Sequence, residues 1–122
     1  MSAYPITHIE ISAQDRRVSA DFYATVFGWE VNHMDEMQYS MLGTGNQGLA
    51  AGLNPVSEQN PAGTILLYIA TDDVEGTLAK IEAAGGKTLM PIYEIPTVGW
   101  MAMFQDPGGN TLALMKWMPP AA

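Results

Sequence analysis

HIEISAQDRRVSADFYATVFGWEV, His8 to Val31, lies without a gap over LLYIATDDVEGTLAKIEAAGGKTL, Leu66 to Leu89, at a constant offset of 58 residues. Ile11 meets Ile69, Asp15 meets Asp73, Ala20 meets Leu78, Tyr23 meets Ile81 and Gly28 meets Gly86. Identity between the copies is low, so the shared pattern is what marks an internal repeat. Each copy opens on a short β-rich run; in the first, Ile9 and Ile11 alternate with His8, Glu10 and Ser12. Each then changes to helical spacing. Val18, Phe22 and Val26 recur four residues apart with Arg16, Arg17 and Asp21 turned away, and Val74, Leu78 and Ile81 form the matching stripe. Both stripes are expected to be spent against a sheet. Gly28 and Gly86 fall where each helix should end in a left-handed residue.

Three strands are expected after each helix. They are Glu30 to His33, Gln38 to Leu42 and Leu49 to Leu53 in the first copy, then Lys87 to Met90, Trp100 to Gln105 and Thr111 to Trp117 in the second. The polar, twice-prolyl stretch NPVSEQNPAG, residues 54–63, joins the copies as a linker. The expected fold is therefore α+β, two βαβββ modules over about residues 6–53 and 64–118, in a single domain spanning 1–122. A βαβββ sheet has a helix on one side only, so two such modules are expected to curve their other faces into an open, barrel-like cleft that takes a ligand. His8, Glu10 and Ser12 on one first strand, and Leu66, Tyr68 and Ala70 on the other, should line it.

Composition narrows the function. A chain of 122 residues suits one compact domain, and 48% hydrophobic with 15% charged residues is an ordinary globular balance. Five Lys and Arg against thirteen Asp and Glu give a net charge of −8, and the few cations are scattered; nucleic acid and anionic membrane surfaces are not expected partners. The sequence has no cysteine, which removes disulfides, thiolate nucleophiles and cysteine metal sites from consideration. No apolar run approaches a membrane span and MSAYPITH has no signal-peptide pattern, so a cytoplasmic protein is expected.

Paired βαβββ modules, the FYATVFGWEV segment closing the first helix, the TDDV segment after the fifth strand and the DPGGN turn before the last together resemble the vicinal oxygen chelate superfamily. That family includes glyoxalase I, bleomycin resistance proteins and extradiol dioxygenases, and the resemblance covers nearly the whole chain. It implies the glyoxalase/bleomycin resistance/dihydroxybiphenyl dioxygenase fold and, by analogy with many members, a homodimer. It does not fix a reaction, because a fold hosts many functions. Metal-dependent members place ligands on the first and last strands of each module. Carried onto this chain, the first-strand positions are His8 and Leu66. Superposing QGLAAGL on GNTLALM at an offset of 62 puts Ala51 and Ala113 where the family's carboxylates would stand. One histidine among three aliphatic residues cannot replace a cation's hydration shell, and Glu10, about 7 Å along the strand from His8, does not converge with it. The expectation is no metal site and no cofactor.

The remaining candidates are side chains of a small-molecule site. His8 and Glu10 are weak candidates for an acid or base, since a carboxylate in an apolar cleft must be paired or hydrogen-bonded. His33, in NHMDEM, reads as an exposed loop residue. Tyr39, Met41, Tyr68, Trp100, Met101 and Met103 lie on strands, and parity leaves open which half of them faces the cleft. Tyr93 and Trp100 are either a lid from the proline-bearing segment MPIYEIPTVGW or packing on the rim. The ligand-binding set is thus His8, Glu10, Tyr68, Tyr93, Trp100 and Met101. The leading expectation is a glyoxalase/bleomycin resistance-like protein that binds an aromatic or apolar organic molecule without the family's metal. The alternative is a lyase, isomerase or dioxygenase with a rearranged metal site or a Glu10 or His8 base, and a third reading is a partner-binding subunit. Asp106 to Asn110 is read as a turn set by backbone geometry.

Overall fold

A computed structural model describes residues 3–45 and 49–119. The first repeat runs β1 (Ile6–Ala13), α1 (Arg16–Phe27), β2 (Glu30–Met34), a 3-10 turn (Asp35–Met37), β3 (Tyr39–Gly43) and β4 (Ala50–Pro55). The second runs β5 (Ile65–Ala70), α2 (Val74–Ala83), β6 (Lys87–Ile95), β7 (Gly99–Gln105) and β8 (Thr111–Trp117). Each is βαβββ, and the class is α+β as the repeat implied. The chain divides into two compact units, Thr7–Leu67 and a second that begins at Tyr68 and takes in the segment before Thr7. Strand order is β2-β3-β4-β1 in the first repeat and β6-β7-β8-β5 in the second, so the two copies share one topology. In each, the first and last strands are parallel and the remaining neighbours antiparallel.

The aligned aspartates of the repeat start both helices. Asp15 is the N-cap of α1 and its carboxylate accepts from the Arg17 and Val18 amides; Asp73 caps α2 and accepts from the Gly76 amide at 2.9 Å. Such caps hold otherwise unpaired amides and are worth about 0.5–2 kcal/mol each. Gly28 ends α1 in the left-handed region at φ 71, as expected. In the second copy that conformation belongs to Gly85, at φ 100; Gly86 is needed instead for space, since a Cβ there would stand 2.5 Å from the Ile81 Cγ2.

Packing of α2 follows its stripe, with Val74, Leu78 and Ile81 against Ala102, Phe104 and Leu114. The expectation for α1 is overturned. Val18, Phe22 and Val26 are 66%, 55% and 57% exposed, while Ala20 is fully buried in a core with Ala13, Leu42, Ala51 and Leu53, joined by Ile9, Ile11, Tyr23, Trp29 and Val31. The small Ala20 is the α1 residue seated in that core, and the large apolar residues fall outside the contact. Phe22 meets Tyr23 edge-on at 5.3 Å, and Tyr23 stacks on Trp29 at 5.2 Å with their planes 11° apart.

Strand limits also differ in detail. Gln38 is not in β3: it adopts a left-handed φ of 51 and closes the 3-10 turn onto Asp35. β4 continues through Asn54 and Pro55, which pair with Ser12 and Ala13. β6 does not stop at Met90 but continues to Ile95, with register shifts between Thr88 and Met90 and between Met90 and Tyr93 that accommodate Pro91 at a sheet edge. The DPGGN turn is as read: the Asp106 carboxylate accepts from the Gly108 and Asn110 amides, both at 2.9 Å.

Candidate functional site

Register assigns every strand residue of the first repeat to one side of its sheet. Ile9, Ile11, Leu42, Ala51 and Leu53 lie under α1. The opposite, helix-free face carries His8, Glu10 and Ser12 of β1, Ala50, Gly52 and Asn54 of β4, Tyr39 and Met41 of β3, and Glu30, Asn32 and Met34 of β2. Both candidates on β1 thus occur on one face, as alternation implied.

The centre of that face is a pair that sequence spacing did not reveal. His8 Nε2 lies 2.6 Å from the Tyr39 hydroxyl, across 31 residues of chain, with the rings 6.2 Å apart and inclined by 28°. His8 is 4% exposed, and burial pushes its pKa below the ordinary 6.5, so the ring is neutral at pH 7. Tyr39 keeps part of its surface exposed. Its ring reaches across Gly52, where an added Cβ would fall 1.8 Å from the phenolic oxygen. Glu10 is held nearby by Asn54, whose Nδ2 donates to Oε1 at 3.3 Å. A phenol beside a neutral imidazole can accept or donate a hydrogen bond and can exchange a proton with a bound molecule.

The second repeat, taken by itself, has an apolar counterpart. Tyr68 pairs with Ala113, which pairs with Met103, which pairs with Met90; Met115 pairs with Met101, which pairs with Tyr93. These residues share the helix-free side, with Tyr68, Met101, Ala113 and Met115 buried and Tyr93 exposed. Met and Tyr side chains make an adaptable apolar wall. Trp100 is not among them: it alternates with Met101, pairs with Lys116 and lies under that ammonium at 5.6 Å, on the side of Ala102 and Phe104.

The family ligand positions can now be placed by register. Tyr68 faces Ala113 across β5 and β8, and its repeat counterpart Glu10 faces Gly52 across β1 and β4. Gly52, not Ala51, is therefore the counterpart of Ala113; Ala51 belongs to the core under α1. The expected superposition was one residue out, and its part at Gln47 and Gly48 lies outside the described residues. The four positions are His8, Gly52, Leu66 and Ala113, a single donor whose Nε2 already meets Tyr39. This set does not fit a divalent cation, which needs several oxygen or nitrogen ligands. Among the described residues no group of three His, Asp or Glu could hold a metal ion.

His33, expected both at the end of a strand and in an exposed connection, is a residue of β2, and its Nδ1 lies 2.7 Å from the hydroxyl of Ser40, which is 0% exposed. Arg16 Nη1 donates to the same oxygen at 2.8 Å, and Arg16 and Arg17 both bind Asp35. The Arg16 hydrogen bond, aided by both guanidinium charges, holds the Asp35 carboxyl below its ordinary range. This cluster ties the start of α1 to β2 and β3.

With fold and site in view, the comparisons place the chain in a class. The Glyoxalase/Bleomycin resistance protein/Dioxygenase superfamily profile matches residues 5–114, and the chain belongs to that superfamily. Anthracycline biosynthesis protein DnrV of Streptomyces peucetius is 27% identical over 123 residues, covering 88% of this chain and 45% of that protein. A glyoxylase-like domain-containing protein of Didymella fabae is 30% identical over 117 residues, covering 89% of this chain and 91% of that one. The chain spans about half the length of the bacterial curated relatives it matches. Methylmalonyl-CoA epimerase from Mycobacterium tuberculosis superposes with a TM-score of 0.72 at 15% identity, over 93% of this chain and 88% of that one. Identity that low bears on the fold alone. No described helix is long and apolar enough to cross a membrane.

Proposed function

We propose that this chain binds a small, uncharged organic molecule, aromatic or apolar in its bulk, without a divalent ion at the family's ligand positions. The observation that carries this reading is the His8 to Tyr39 bond, 2.6 Å long and seated over Gly52, at the position where a metal-dependent relative would present a carboxylate. The methionine and tyrosine side chains of both helix-free faces suit such a ligand. A relative named for anthracycline biosynthesis is in keeping with it.

A second reading is favoured by the same short contact: Tyr39 and the neutral His8 form an acid-base pair, with Glu10 as a further base, able to move a proton on the bound molecule. The test of the leading reading is metal analysis of protein grown with Mn, Fe, Ni and Zn, alongside a thermal-shift screen of uncharged aromatic compounds. Metal-free protein stabilised by such compounds supports it by mass action. Stoichiometric metal that disappears in His8→Ala overturns it.

A further inference from the structure

Gly52 has no backbone reason to be glycine. It pairs regularly with Glu10 and Met41 inside β4 and is not among the glycines with positive φ. Its reason is space, because a Cβ would stand 1.8 Å from the Tyr39 oxygen and 2.1 Å from Cζ, closer than atoms approach. Two further features aim the phenol at the same point. Gln38, left-handed at φ 51, sets the phase with which Tyr39 enters β3, and His8 Nε2 holds the hydroxyl at 2.6 Å. His8 is buried while Tyr39 is partly exposed, so Tyr39 is the more accessible member of the pair.

Charge on the same face selects the ligand. Among the described residues, the strands of the first repeat place Glu10 and Glu30 but no Lys or Arg on the helix-free face, so the repeat's own charge there is negative and disfavours an anion. Burial of an unpaired carboxylate is costly, whereas a carbonyl or hydroxyl oxygen needs only a hydrogen bond. We propose that Tyr39 is the specificity-determining ligand contact of the first repeat, that Gly52 is the positioning residue that seats it, and that together they select an uncharged ligand bearing a hydrogen-bonding oxygen. The proposal rests on the binding reading above.

The test compares three probes of like shape by NMR titration: acetophenone, ethylbenzene, which lacks the oxygen, and benzoate, which is anionic. Wild type should take acetophenone about 2- to 10-fold more tightly than ethylbenzene, the worth of one net hydrogen bond, and benzoate most weakly. Tyr39→Phe should bring the acetophenone to ethylbenzene ratio to about one. Gly52→Ala keeps the hydroxyl but moves it, and should also erase the ratio and shift the His8 ring resonances. The loss in Gly52→Ala should be non-additive with Tyr39→Ala: Gly52→Ala/Tyr39→Ala should be no less stable than Tyr39→Ala alone, because the collision is gone. A ratio that survives Tyr39→Phe or a folded Gly52→Ala, unmoved His8 resonances, or benzoate binding as tightly as acetophenone overturns the assignment. If wild type takes acetophenone and ethylbenzene equally, the assignment falls and the binding reading stands. If no probe binds wild type, both fall.

Discussion

Ser40→Ala is expected to cost the protein about 2 kcal/mol. The hydroxyl is fully buried and meets Arg16 Nη1 at 2.8 Å and His33 Nδ1 at 2.7 Å, so one of its two bonds is charge-assisted. A neutral hydrogen bond contributes about 0.5–1.5 kcal/mol net and one to a charged group about 1.5–3. Their sum is reduced here, because Arg16 keeps its bond to Asp35 at 3.2 Å and part of its side chain is exposed. An unfolding entropy of about 2.1 cal/mol/K per residue gives roughly 0.26 kcal/mol/K for a chain of 122 residues, so the melting temperature should fall by about 8 °C. Differential scanning calorimetry reads this directly, and the double variant Arg16→Met/Ser40→Ala should be non-additive by about 0.5–3 kcal/mol. A fall under about 1 °C, or strict additivity, would refute the reading of Ser40 as the joint between α1, β2 and β3.

Other expectations follow from the same contacts. Asp15→Ala and Asp73→Ala should each lower stability by about 0.5–2 kcal/mol in urea melts, because each carboxylate caps a helix. Leu53→Ala should cost about 2–5 kcal/mol, while Val18→Thr should stay within about 0.5 kcal/mol of wild type, since Leu53 is fully buried and Val18 is not; a large loss at Val18 would restore the periodicity reading of α1. His8 has a folded pKa below 6.5, so the unfolded chain binds the extra proton and stability should decline as pH drops through 6.5 toward the folded value; this decline should vanish in His8→Gln. Asp35 and Asp106 have folded pKa values below 3.8, the latter chiefly through Asn110, so their stabilisation holds above 3.8 and is lost as pH falls further; melts between pH 5 and 2, set beside the Asp106→Asn variant, measure it.

The repeat made the fold legible because cap, stripe and glycine recur at one offset, and a βαβββ unit allows few other arrangements. The face of α1 was not legible. Val18, Phe22 and Val26 have the period of a buried stripe, yet the small Ala20 is the α1 residue seated in the core, and periodicity weighs bulk rather than fit. Tyr39 was visible as a strand aromatic, but its side depended on a left-handed Gln38 and its partner lay 31 residues away. The slip from Gly52 to Ala51 has a plain cause: strand alternation has period two, so an error of one residue moves a side chain to the other face. The same alternation puts Trp100 on the opposite side of its sheet from Met101.

The stack of Tyr23 on Trp29 gives the molecule a natural optical label. Trp29 belongs to the first repeat, whereas Trp100 and Trp117 belong to the second, and no other tryptophan is present. A variant with Trp100→Phe and Trp117→Phe would emit only from the first repeat, beside a stacked phenol, and Trp29→Phe only from the second. Coincident melting curves from the two would mean the halves unfold as one cooperative body; separated curves would mean that the internal duplication is still legible as two steps of unfolding.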